Sequence, residues 1–242
     1  WKVEDLWHEA QSRRICFAPV FSMAQLKDQQ QLQSRNFFVD VTHPKAGTVT
    51  QLGQPYQLRE PWWQVRRPAP LLGEHTDEVL NALPKTQSLT PNPQLPTLKT
   101  RRPLEGVRIA DFTWVWAGPY CTMYLAHLGA EVIKIESNTR IDITRRLPMY
   151  PKGMQGGVNR SGLFNQWSLG KKSLLLNFSK PEGIELVKEL IKNSDVVVDN
   201  FATGVMERLG LGYDDLVKIK PDIIMASISG YGHTGPLKNY MG

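Results

Sequence analysis

From residue 103 onward, short apolar runs alternate with longer stretches in which apolar positions recur every three to four residues. The runs, at 107–112, 131–136, 173–177, 195–199 and 223–228, are too short for helices and read as strands. The stretches between them predict helices over about 118–128, from Pro181 onward, near 205–209 and near 214–220. In the second of these, Ile184, Val187, Leu190 and Ile191 make one apolar face, and Pro181 suits a first helical turn. The run 195–199 is continuously apolar in its middle, as expected of a strand covered on both faces. Strands joined by helices of this length must lie parallel with right-handed crossovers. Residues 103–242 are therefore expected to form an α/β, Rossmann-like, doubly wound parallel sheet of at least four strands.

The first part of the chain is patterned differently. Val3, Leu6, Trp7 and Ala10 recur at helical intervals, and 23–29 reads as a second short helix. Residues 36–42 and 47–52 read as two strands around a Pro-Lys-Ala-Gly turn, a hairpin, and 74–82 as another helix. This portion, 1–83, is α+β. The segment 84–102 is rich in Pro, Thr and Gln without hydrophobic period, which predicts an extended, semi-rigid connector. Three parts follow: 1–83, a linker over 84–102, and 103–242.

Composition narrows the possibilities. With 41% hydrophobic and 21% charged residues in 242, the chain is ordinary for a soluble globular protein. No apolar run reaches the ~18–20 residues of a membrane span, and the start at Trp1 lacks a signal-peptide pattern, so a cytoplasmic protein, cut at its front, is expected. Cys16 and Cys121 belong to no ligand motif and read as buried or idle thiols. The histidines at 8, 43, 75, 127 and 233 show no metal spacing. The net charge of +6 comes from scattered basic pairs, including Arg145-Arg146 and Lys171-Lys172. That distribution favours a small anionic ligand over nucleic acid, whose domains concentrate charge on one element.

In open parallel sheets, ligands bind beyond the carboxyl ends of the strands. The loops concerned are 113–119, the one from Ser137, 200–204 and 229–238. The first lacks the GxGxxG of dinucleotide binding, and Trp114 and Trp116 would block a pyrophosphate there. Glu136 mimics a ribose-binding acid but stands alone. No GxxxxGK[ST] or GxSxG motif is present.

Six motifs in order carry a stronger message: Asp111-Phe-Thr-Trp-Val-Trp-Ala-Gly-Pro119, Leu128-Gly-Ala-Glu-Val-Ile-Lys-Ile-Glu136, Asn177-Phe-Ser-Lys-Pro-Glu-Gly183, Asp199-Asn-Phe-Ala-Thr-Gly204, Arg208-Leu-Gly-Leu-Gly212 and Ser229-Gly-Tyr-Gly-His-Thr-Gly-Pro236. Together they resemble the head of a family III CoA-transferase, of the formyl-CoA transferase and carnitine CoA-transferase type. Upstream, Ala69-Pro-Leu-Leu-Gly-Glu-His-Thr-Asp-Glu-Val-Leu80 resembles the tail of the same family. Tail precedes head, so the resemblance implies the waist of a tandem fusion: the end of one copy, a linker, and the start of the next.

The resemblance further implies a coenzyme A site. Arg208 and Lys238 match basic positions near the nucleotide phosphates, where charge-assisted hydrogen bonds would form. Asn200, Phe201 and Ala202 match a strand-end group contacting CoA. Leu176, Asn177, Phe178 and Ser179 match the segment beside the adenine, and Val115, Trp116 and Ala117 the loop over pantetheine and thioester. Trp116 stands where oxalate-using members carry Gln, which implies a larger, more apolar acyl group. Ser137 stands where they carry Arg, so one phosphate contact is weaker or falls to Arg140.

The family's nucleophile is an Asp that attacks the thioester, giving a mixed anhydride and then an aspartyl-CoA thioester resolved by an incoming carboxylate. By the family's order this Asp and a glycine-rich flap lie beyond Gly242, so no catalytic residue is expected in the chain, and Asp111 and Asp199 read as structural acids at strand ends. CoA thioester is substrate, not a resident cofactor. The expected partners are acyl-CoA, a carboxylic acid, and a second copy in an interlocked dimer, or an intramolecular pseudo-dimer, without nucleic acid or membrane. Two alternatives stay open: a 2-methylacyl-CoA racemase of the same fold, which needs a His and Asp pair although His127 lies inside the apolar face of its expected helix and reads as structural, and a non-catalytic CoA-binding or scaffolding copy.

Overall fold

The computed structural model describes residues 2–53, 56, 57, 59, 65, 67–69, 71, 74, 75, 81, 102–149, 153 and 156–241. The chain divides into two units. One comprises Trp1–Ala10, Phe17–Lys99 and Thr234–Leu237, the other Gln11–Cys16, Thr100–His233 and Lys238–Gly242.

In the first part of the chain, α1 (Val3–Ser12), α2 (Met23–Lys27) and α3 (Gln30–Ser34) precede strands β1 (Phe38–His43) and β2 (Gly47–Leu52). The helix expected over 23–29 stops sooner and a third begins, because Gln29 is extended between them. A capping box starts α2: the Ser22 hydroxyl accepts from the Gln25 N–H, and the Gln25 side chain accepts from the Ser22 N–H at 2.9 Å. The hairpin forms as expected, antiparallel, with Phe38 opposite Leu52 and His43 opposite Gly47. Of the helix expected over 74–82 only 74, 75 and 81 lie within the described residues, and 84–101 of the expected linker lie outside them.

The second unit is built on five parallel strands: β3 (Arg108–Asp111), β4 (Glu131–Glu136), β5 (Lys172–Leu175), β6 (Val196–Asp199) and β7 (Ile224–Ser227), in the order β5-β4-β3-β6-β7. Between them lie α4 (Ala117–His127), a 3₁₀ turn (Ile143–Arg146), α5 (Gly162–Trp167), α6 (Pro181–Lys192), α7 (Val205–Arg208) and α8 (Tyr213–Ile219). The expected α/β, doubly wound sheet is present. The strand order reverses between β3 and β6, the place where such sheets open a ligand crevice.

One core holds Phe112, Ile135, Phe178, Val187, Ile191, Val197, Leu211 and Leu216; the other holds Ile109, Ala126, Ala130, Val132 and Val198. Val187 and Ile191, the expected face of α6, are fully buried, each worth about 1.5–3 kcal/mol of transfer free energy. Gly183 lets α6 come this close: a Cβ there would lie 2.0 Å from the Asn177 carbonyl oxygen. The inner strand β6 is covered on both faces, as its sequence predicted, while edge strands β5 and β7 are mostly exposed.

Three expectations need correction. Of the reading of Cys16 and Cys121 as buried or idle thiols, the burial fails: both are free and exposed. His127 is not on the apolar face of α4: it is exposed, with its ring against Tyr124. The 3₁₀ turn and α5 were not foreseen, because 137–171 carries no hydrophobic period.

Candidate functional site

The carboxyl end of β3 sets the geometry. Asp111 is completely buried and turns the chain: one oxygen accepts the Thr113 N–H at 2.9 Å and the Thr113 hydroxyl, the other the Thr122 hydroxyl at 2.8 Å. Lys171 completes this knot, donating to Asp111, the Pro119 carbonyl and Thr122 at 3.1, 3.0 and 2.7 Å. Burial pushes the Lys171 ammonium below its usual pKa against the pull of Asp111. Asp111 is thus the structural strand-end acid its sequence position suggested.

A second buried knot lies beneath residues 113–117. Lys134 donates to the Thr113 carbonyl at 2.7 Å and to Asp142 at 3.0 Å, both side chains being 1% exposed. Asp142 also accepts from the Val115 N–H and from the Thr144 N–H and hydroxyl. Burial opposes ionisation of Asp142, but Lys134 and Thr144 outweigh it and hold the carboxyl below the usual range. The Asp142 N–H donates to Glu136, which Arg145 grips with two nitrogens. Glu136 is therefore a structural acid, and Arg145 is no solvated surface charge; its guanidinium also lies over Phe164 at 3.6 Å.

Above these knots the chain is unusual. Val115 has φ +71°, a left-handed conformation that a β-branched residue rarely adopts. Trp116, 64% exposed, rests on the buried Trp167 at 4.8 Å between ring centroids, and Ala117 is exposed at the start of α4. Gly118 lets α4 approach: a Cβ there would meet Thr113 at 2.4 Å and Asn200 at 3.1 Å.

The carboxyl end of β6 faces the same loop. Asn200 accepts the Trp114 N–H and donates to the Trp114 carbonyl, both at 2.7 Å, so its amide clasps the loop. Phe201 packs edge-on against Trp114 at 5.7 Å, and Ala202 is exposed. Asp199 accepts from the Phe201 N–H and Ser227 hydroxyl, and burial pushes its carboxyl above the usual range despite these donors. Arg208 is exposed and lies over Gly204, whose φ is +81° and whose added Cβ would sit 2.9 Å from the guanidinium. Lys238 is exposed too, its carbonyl accepting the Thr203 hydroxyl at 2.8 Å. Neither cation has an ion-pair partner among the described residues.

Val115, Trp116 and Ala117 thus share the carboxyl ends of β3 and β6 with Asn200, Phe201 and Ala202, and the Thr203 bond ties Lys238 to the loop leading to Arg208. The segment after β5 is placed differently. Leu176 is half-buried and bonded to the Glu136 carbonyl, Asn177 turns the chain by accepting the Ser179 N–H, and Ser179 is exposed. The Phe178 ring is in the core, edge-on to Phe112, and faces no open surface. Ser137 is buried and accepts the Arg140 N–H, while exposed Arg140 lies over Trp114 at 5.8 Å.

An open cavity of about 390 Å³ between α5 and strands β4 and β5 includes Lys134, Arg145, Lys171 and Lys172 in its wall. All four cations already carry carboxylates, so it is no ready anion site. Lys134, Asp142, Arg145 and Lys171 escaped sequence reasoning. One sign was available: a lysine inside the apolar run Val-Ile-Lys-Ile must be paired if the strand is buried. Among the described residues no group of three or more His, Cys, Asp or Glu could hold a metal, and no helix is long and apolar enough to cross a membrane.

The fold is an open parallel α/β sheet, with Arg208 and Lys238 exposed near the carboxyl ends of β6 and β7 and without an ion pair among the described residues. The sequence matches the family model for CoA-transferase family III over residues 1–76 and 104–242, and the chain belongs to that family. It is 45% identical to the mouse succinyl-CoA:glutarate CoA-transferase over 141 residues, 58% of this chain and 31% of that protein. It is 43% identical to a formyl-CoA:oxalate CoA-transferase of Afipia carboxidovorans over 137 residues, 56% of this chain and 31% of that one. Among solved structures, a CAIB/BAIF family protein from Brucella suis superimposes with TM-score 0.53 at 36% identity, covering 59% of this chain and 37% of that one. The chain spans about a third of the length of these relatives.

Proposed function

We propose that this chain carries the CoA-binding part of a CoA-transferase that moves CoA from an acyl-CoA thioester to a carboxylic acid. The observation that carries it is the pairing state of the cations: Arg208 and Lys238 stand exposed on the rim with no carboxylate among the described residues, while Lys134, Arg145 and Lys171 are each held by one. Exposed guanidinium and ammonium groups near the carboxyl ends of parallel strands suit the phosphates of CoA. Asn200 orients the loop rather than the ligand, since its amide is spent on Trp114. Val115, Trp116 and Ala117 lie over the pantetheine and thioester, and Leu176 to Ser179 beside the adenine, with Phe178 contributing from beneath. Exposed Trp116 favours an acyl group with apolar surface.

By the family's order the attacking Asp lies beyond residue 242, and the acids at the described strand ends are already engaged. Asp111, Asp142 and Asp199 are buried with both oxygens occupied, and Asp195 accepts the Arg108 N–H at 2.8 Å at the far, amino end of the sheet. In the step proposed, that carboxylate attacks the thioester carbonyl and releases CoA thiolate. The thiolate then takes the aspartyl carbonyl of the anhydride, freeing the donor acid; the acceptor carboxylate attacks the aspartyl thioester, and thiolate returns to the new acyl group. His127, at the end of α4 away from the carboxyl ends of the strands, gives a racemase no support.

The two separate matched stretches, 1–76 and 104–242, when read as a tail followed by a head, also suit a tandem protein, which would close an interlocked pair within one polypeptide. The test is the intact mass of the protein from its source, with the sequence read past residue 242. A larger product that exchanges labelled CoA between succinyl-CoA and free dicarboxylates supports the proposal. A purified longer protein that binds CoA without exchange leaves only a binding or scaffolding copy, and overturns the transferase.

A further inference from the structure

We infer that Asp142 and Lys134 form a positioning pair that holds Val115 in its left-handed conformation and so shapes the loop over the pantetheine arm. The inference rests on the CoA site proposed above for its ligand, but not for its geometry. A valine at φ +71° is strained and persists only where its surroundings over-determine it. The Val115 N–H lies 3.2 Å from each Asp142 oxygen, so the carboxylate straddles it. Lys134 spans from the same carboxylate to the Thr113 carbonyl two residues earlier, closing a brace on both sides of Trp114. The opposite edge of Trp114 is clasped by Asn200. The loop is thus fixed from two strands, and its outer face, Val115 to Ala117, is left exposed.

Every group around Asp142 is a donor: the Val115 N–H, the Thr144 N–H and hydroxyl, and the Lys134 ammonium. An ionised carboxylate accepts at both oxygens, whereas an amide must turn its NH2 toward at least one of these donors. Asp142→Asn therefore breaks the brace although its size is unchanged. Lys134→Met leaves a buried carboxylate uncompensated, so the double variant Lys134→Met with Asp142→Asn, which buries no charge, is the safer partner should either single variant fold poorly.

The experiment combines two readouts on the 242-residue chain. Deuterium exchange of peptides covering 113–118 is compared with those covering β6, and titration calorimetry compares CoA with its adenosine bisphosphate half, which lacks pantetheine. We expect Asp142→Asn and the double variant to exchange faster at Val115 while β6 stays protected. We expect CoA to bind about tenfold more weakly, with the adenosine bisphosphate unchanged. General unfolding would weaken both ligands and expose β6. Wild-type exchange at 113–118 in the folded double variant overturns the positioning pair. If the parent chain binds neither ligand, the CoA site fails, and the exchange arm still decides the pair on its own.

Discussion

The two sides of the sheet's carboxyl end use their cations in opposite ways. Beneath β3 and β4, Lys134, Lys171 and Arg145 are buried, each bonded to a carboxylate and to neighbouring oxygens. Beyond β6 and β7, Arg208 and Lys238 are exposed and carry no ion pair among the described residues. A net charge of +6 says nothing of this division, yet it separates charges that hold the loop from charges left for a ligand. Buried pairs are costly to break because the survivor stays buried; exposed cations can be removed with little effect on the fold.

The largest effect expected from that contrast is at Lys171. Lys171→Met strands the fully buried Asp111 and should cost about 3–5 kcal/mol, read as a lower midpoint in urea unfolding. Next comes Asn200→Ala, which leaves the Trp114 N–H and carbonyl without their partner and should cost about 1–3 kcal/mol, with faster exchange at 113–118. A loss confined to exchange, with the urea midpoint unchanged, would mean that water replaces the amide.

Acid sharpens the comparison with opposite signs on the two sides. The folded pKa of Asp142 is lowered, so its contribution is present above the unfolded carboxylate value near ~4 and is lost as pH falls through the folded value. The folded pKa of Asp199 is raised, so ionisation at neutral pH costs stability that returns as pH falls through that raised value. Asp199→Asn should then be at least as stable as the parent at pH 7 and lose that advantage in acid. Stability curves that run parallel from pH 7 to 4 would contradict it. The smallest effect is on α6, where the exposed pair Glu185–Lys188 should contribute within about 0.5 kcal/mol, and Lys188→Ala should leave the unfolding midpoint almost unmoved.

Much of the sheet was legible because its strands are short and apolar and its helices periodic. Val187 and Ile191 were placed on the buried face of α6, and the continuous run of β6 proved to be covered on both sides. The rim of the site was legible only through resemblance, since Arg208 and Lys238 belong to no local motif of their own. The supports beneath it were not legible. Lys171 meets Asp111 across 60 residues and Asp142 meets Val115 across 27, and propensity carries no record of such meetings. Val115 shows the same limit: nothing in Trp-Val-Trp announces a left-handed residue, which is imposed by Asp142 from beyond β4. His127 was misplaced because the helix around it is apolar nearly all round, so its buried face could not be phased from sequence.

The central claim is that the unpaired cations of the rim bind CoA. Titration calorimetry of the 242-residue chain with CoA at low salt, beside the Arg208→Ala, Lys238→Ala double variant, tests it most directly. The account predicts binding by the parent chain, affinity reduced at least about tenfold in the variant, and an unchanged melting temperature. Equal affinity in the two proteins, or no binding by the well-folded parent, would contradict it.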